Sequence, residues 1–175
     1  MKRYLRVGIP LAVVLLAVGL WAFQPWKLFT HSTVNEALPT AQAAPVPAMP
    51  STSAAPVALS SGAFVSQEHG TSGTATVVRL PDGSRVLRLT GLATSDGPDL
   101  HVWLTDQDAG GDWFKYDDGR VIGLGKLKAT HGNQNYAVPA EVDLTGLRSA
   151  VIWCDRFNVA FGSAPLGQPA DVPAQ

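Results

Sequence analysis

From Gly62 to about Leu166 the sequence predicts an all-β fold, a single antiparallel β-sandwich or barrel-like domain, and three observations carry that prediction. Short runs alternate apolar and polar residues, with Leu100, Val102 and Leu104 the cleanest period of two. Gly, Pro, Asp and Asn stand between the runs at close intervals. No stretch in this region keeps a clean helical period for ten residues. Ahead of the domain the sequence predicts an N-terminal transmembrane helix and a disordered Ala/Pro/Ser/Thr tether.

The helix comes first, with residues 1–29 read as a cytoplasmic stub and anchor. Lys2, Arg3 and Arg6 precede an uncharged, mostly apolar run from Val7 to Trp26. As a helix this run reaches about 30 Å, the hydrocarbon thickness of a bilayer. Pro10 lies near its start, where a missing amide donor costs least. Trp21 and Trp26 stand near its far end as interfacial anchors would. The basic cluster on the N-terminal side places that end in the cytoplasm and the rest of the chain outside. A cleaved signal peptide is the competing reading. The run is long for one, and Ala41-Gln42-Ala43 lies far downstream of it.

Residues 30–61 have only Glu36 as a charged side chain, and Pro39, Pro45, Pro47, Pro50 and Pro56 interrupt any helix. Such a segment buries too little apolar surface to offset its ordering entropy, which predicts an extended, mobile linker. Its root-mean-square reach is about 30 Å. A glycosylated stalk has the same composition.

Within residues 62–166 the strands are expected at Ala63–Ser66, Thr74–Leu80, Arg85–Thr90, Leu100–Leu104, Val121–Lys128, Asn135–Val138, Val142–Leu144 and Ala150–Cys154, then through Phe157, Val159 and Phe161. Pro81-Asp82-Gly83-Ser84 is a turn, because Pro presets one dihedral and Gly accepts positive φ. Asp155-Arg156 is expected to turn the last hairpin. The alternation puts His101 and Trp103 on the face opposite Leu100, Val102 and Leu104. Asp106–Gly119 is a polar loop, and residues 167–175 form a flexible tail.

Net charge is uneven. Residues 1–61 hold four basic side chains against Glu36, whereas residues 62–175 hold nine basic and thirteen acidic ones. A mildly acidic domain offers nucleic acid no electrostatic footprint. The absence of a G-x-S-x-G elbow and of a Gly-rich phosphate loop argues against hydrolase and nucleotide chemistry.

Cys154 is the only cysteine, set in Val151-Ile152-Trp153-Cys154-Asp155-Arg156-Phe157. It cannot form an internal disulfide. One reading makes it a small core hydrophobe. The other makes it a redox thiol or a soft ligand for a metal or haem. His69, His101 and His131 lie in the domain without any H-x-x-x-H or C-x-x-C spacing, so sequence spacing assigns no metal site. His101 is the best placed of them and His69, next to Glu68, the second choice; His31 falls in the linker. Asp106, Asp108 and Asp112 partly match a calcium loop, but Gly110 removes one ligand and Asp117 stands where Glu is usual.

Taken together, Gly62-Ala63-Phe64 with His69 and Gly73, the run Pro98–Leu104, Leu124–Lys128 with Gly132–Pro139, and Val151–Gly162 resemble, in that order, the DM-thirteen family. That family is a domain class proposed to act in extracytoplasmic electron transfer. One departure is Gly123-Leu124-Gly125, where the family often has Asp-Leu-Gly. The resemblance implies a sandwich-like domain whose cysteine works as a bare thiol or as a ligand for a prosthetic group such as haem. His101 or His69 would then be the second ligand, and a lone thiol would need an external redox partner protein. The alternative is a non-enzymatic envelope module that binds protein or glycan, with Cys154 structural. A calcium-stabilised adhesion domain is a third reading.

Overall fold

A computed structural model describes residues 2–24, 26–27, 30–39 and 55–167, with side chains of the N-terminal helix described from Ile9 onward. Among the described residues the elements are one α-helix, α1 (Lys2–Phe23), one short 3-10 turn at Lys115–Asp117 and ten strands. The strands are β1 (Thr33–Asn35), β2 (Val57–Ala63), β3 (Val65–Ser66), β4 (Ser72–Arg79), β5 (Arg85–Ala93), β6 (Leu100–Thr105), β7 (Val121–Lys126), β8 (His131–Val138), β9 (Ser149–Cys154) and β10 (Val159–Pro165). They form two five-stranded sheets, in the orders β1-β8-β5-β4-β2 and β3-β10-β9-β6-β7. Every pairing is antiparallel except that of β1 with β8.

Alternation decides which side chains enter the space between the sheets. The first sheet contributes Ala75, Val77, Leu87, Leu89, Tyr136 and Val138; the second contributes Val102, Leu104, Ala150, Ile152, Val159 and Phe161. Fully burying each larger aliphatic side chain is worth about 1.5–3 kcal/mol, so this shared layer joins the sheets. The chain passes from one sheet to the other at Phe64, whose amide donates to the Gly73 carbonyl (2.9 Å) and whose ring enters the core. Gly73 has φ +111°, and an added Cβ would lie 2.8 Å from the Gly91 carbonyl oxygen. The register of β4 against β5 shifts there, so a residue without a side chain is required.

The second sheet is buried on both faces around β9, where all six residues are buried. Trp153 points away from the inter-sheet core and stacks on Trp103 (centroids 4.7 Å apart). Tyr116 meets it edge-on at 6.4 Å, and its hydroxyl donates to Ser163 Oγ (2.9 Å). The 106–119 loop thus carries its own anchor and lids a small outer core. A run such as Val-Ile-Trp-Cys, apolar without alternation, is what two covered faces require.

Several expectations are corrected. The segment Ala63–Ser66 is divided between β2 and β3 by the crossover at Phe64. Val142–Leu144 is not a strand: the Val142 amide donates back to Pro139 (3.1 Å) in a turn, and Val142 and Leu144 pack against the core from there. Two apolar residues two apart suit a loop that drops both onto a core as well as a strand. Phe157 lies in the turn Asp155–Asn158, one residue pair longer than Asp155-Arg156. Asn158 takes φ +53° there, which Asn tolerates better than most residues.

The linker expectation changes most. Its described ends are built into the first sheet, β1 pairing in parallel with β8 and β2 pairing with β4. Glu36 secures the first of these: Lys128 Nζ donates to it at 2.7 Å and the Asn135 amide at 2.8 Å. The Lys128 hydrogen bond is the main reason its carboxyl is held below the usual range. Leu38 then covers Val78, Leu80 and Val86 on the outer face. Residues 40–54 of the linker and 168–175 of the tail lie outside the described residues. Among the described residues no helix is long and apolar enough to cross a membrane. The described side chains of α1, Ile9 to Phe23, account for about 22 Å of helix.

Candidate functional site

Cys154 is the last residue of β9, in register with Leu100 of β6 on one side and Val159 of β10 on the other. Even positions of β9 face the inter-sheet core, so the thiol joins Ala150 and Ile152 there with none of its surface exposed. Burial is the main cause that pushes its pKa up, and the nearby Asp99 carboxylate adds to it. Backbone N–H groups of Phe157, Asp99 and Arg156 oppose both by favouring the thiolate. The desolvation wins. In the resting fold Cys154 is a protonated, protected thiol, and reactive cysteines require thiolate and access.

His101 lies on β6 opposite Trp153, one register step from Cys154, so its ring projects from the other face of the sheet together with Trp103. The alternation that placed His101 beside Trp103 therefore also separates it from the thiol. A haem shared by Cys154 and His101 does not fit this arrangement. The imidazole instead meets carboxylates: Nε2 is 3.0 Å from Asp99 Oδ1 and 3.6 Å from Asp155 Oδ2. Lys126 Nζ donates to the same Asp99 oxygen at 2.9 Å, and this bond is the main reason the Asp99 carboxyl is held low. Asp155 comes to this face through a backbone bond, its amide donating to the Asp99 carbonyl (3.0 Å). Sequence spacing missed this cluster because its third member lies on a different strand's turn. The available signal was Asp99-x-His101, two residues apart and so on one face of an extended chain.

His69 stands elsewhere. Its Nε2 pairs with Glu68 Oε2, and its ring lies against Phe161 at 4.0 Å. It lines an apolar groove of about 490 Å³ whose walls include Phe23, Trp113, Phe114, Phe157 and Phe161. Trp113, Phe114 and Phe157 are all exposed there. Val159 and Phe161 also belong to the core layer around Cys154, so one layer of side chains lies between groove and thiol. His31 contacts His131 edge-on at 5.2 Å, where β1 pairs with the start of β8. The three carboxylates of the suspected calcium loop diverge: Asp106 accepts from the Arg120 amide, Asp108 pairs with Arg148, and Asp112 accepts from the Phe114 amide.

Compared with known protein families, the chain matches the model described as Electron transfer DM13 over residues 63–166. That is more than half its length and every strand from β3 to β10, and the chain belongs to this family. No curated protein and no solved structure matches it.

Proposed function

We propose that this chain is a membrane-anchored, extracytoplasmic electron-transfer module whose redox centre is Cys154. The family match supports electron transfer. The observation that carries the cysteine assignment is its site: the buried thiol ends β9 just before the turn Asp155–Asn158, with an apolar, aromatic groove one layer of side chains away. A buried thiol held this way is shielded from small thiols until a partner opens the turn beside it. In thiol–disulfide exchange the deprotonated Cys154 sulfur attacks one sulfur of a partner disulfide, forming a mixed disulfide as the partner's S–S bond breaks and its other sulfur leaves as a thiolate that takes up a proton. With one cysteine in the chain, the second sulfur belongs to an external partner protein. Anchoring rests on α1, whose apolar side chains from Ile9 to Phe23 are largely exposed, an uncovered surface of the kind that meets lipid. The Lys2, Arg3 and Arg6 cluster orients it with the N-terminus inside.

The second reading, a binding module with a structural cysteine, is favoured by one observation, the zero exposure of Cys154. An absorption spectrum and a native thiol titration of the full chain in detergent separate the two. A thiol that reacts with a partner disulfide far faster than with a small reagent supports the redox reading. A thiol inert to both until denaturation, in a protein with no visible absorption band, leaves Cys154 as packing.

A further inference from the structure

We propose that Asp99, His101 and Asp155 form a binding site for a first-row divalent cation of borderline softness, Zn²⁺ being the probe, on the outer face of the second sheet. One ligand atom from each residue lies within 4.8 Å of the other two. Bonds of about 2.1 Å put neighbouring ligands about 3.4 Å apart in a tetrahedral shell and about 3.0 Å apart in an octahedral one. The two separations from His101 Nε2, 3.0 and 3.6 Å, lie close to those edges.

The frame is preorganised at two of the three positions. β6 pairs with β9 in continuous register from Leu100 to Thr105, which fixes His101. The Asp155 amide bond to the Asp99 carbonyl holds the two carboxylate-bearing segments together. His101 and Asp99 are partly buried, at 21% and 28% side-chain exposure, whereas Asp155 at 46% is free to close onto an ion. One nitrogen and two oxygens suit Zn²⁺ or Fe²⁺ rather than a thiophilic ion, and Cys154 faces the other side of the sheet. Three protein ligands leave the remaining positions to water or an exogenous ligand, the open arrangement of a reactive rather than a structural site. Lys126 is the internal competitor: its ammonium neutralises Asp99 from a side chain that is 75% exposed and can swing into solvent.

The site is tested on untagged full-length chain in detergent, stripped with chelator and titrated with Zn²⁺ by calorimetry, alongside Asp155→Asn and Lys126→Met. The expected result is one saturable equivalent, weakened about ten-fold or more by Asp155→Asn and strengthened several-fold by Lys126→Met. Both substitutions are at exposed side chains, and an unchanged melting temperature verifies the fold. Absence of saturable binding overturns the proposal. So does an equivalent retained undiminished in Asp155→Asn.

Discussion

At the scale of single residues, the chemistry of this domain is set by which face of β9 each side chain takes. Trp153 and Cys154 are neighbours in sequence and lie in different cores. The thiol's pKa is raised chiefly by burial, and the sign of the consequence is definite. A thiol that holds its proton more tightly when folded favours the fold fully below its unfolded pKa, about 8.5. That contribution is lost as pH rises through the folded value. Tyr136, pushed up to about 12 by burial, adds a further alkaline loss at higher pH, and it does so whatever stands at position 154. Urea midpoints measured from pH 7 to 10 should therefore fall more steeply for the native chain than for Cys154→Ala. Parallel curves would show that the thiol is not desolvated. The visibility of these residues in the sequence was uneven. The face shared by His101 and Trp103 is legible because a strand's period is local, but the direction in which Cys154 points depends on register with β6 and β10.

At the scale of elements, the strands with strong alternation, β4, β5 and β6, stand where their patterns place them. The misread elements are those whose pairing partner is distant. β1 is three residues long and polar at both ends, so nothing in its own composition marks it as a strand. Its order comes from Glu36, Lys128 and Asn135, close to a hundred residues apart in the chain. β2 is Val-Ala-Leu-Ser-Ser-Gly-Ala, which reads as linker and becomes a strand because β4 offers it an open edge. The Gly62 position fits closely against Pro165, where any Cβ would clash with the carbonyl oxygen. A chain starting at residue 62 loses most of β2 and should unfold at markedly lower urea than a chain starting at residue 55, although both lack β1. Equal midpoints would mean that β2 adds no stability to the sheet.

At the scale of the whole molecule, the end of α1 meets the domain on its aromatic side. Phe23 stacks on Phe157 at 5.9 Å, Arg156 lies over Trp21, and Lys27 pairs with Asp96. The exposed Trp113 and Phe114 border the same groove. A domain carried by a membrane helix would thus present its groove, and the turn above Cys154, toward the bilayer surface, where aromatic rings are favoured. Membranes from cells making the full chain should retain it through alkaline carbonate extraction, whereas deletion of residues 2–29 should release the domain. Extraction of the full chain by carbonate would overturn anchoring by α1.

What the sequence determined alone was whatever local periodicity encodes. This includes the all-β class, the turns at Pro81–Ser84 and after Cys154, the family blocks in their order, and the shared face of His101 and Trp103. Tertiary structure decided which distant segments meet. It drew the ends of the expected linker into the first sheet, put the thiol and His101 on opposite faces, and brought Asp155 to Asp99 and His101. The physical reason is that a side chain's face follows from its own strand, with a period of two. Its neighbours follow from pairing and packing between strands far apart in the chain, and no local pattern carries that information.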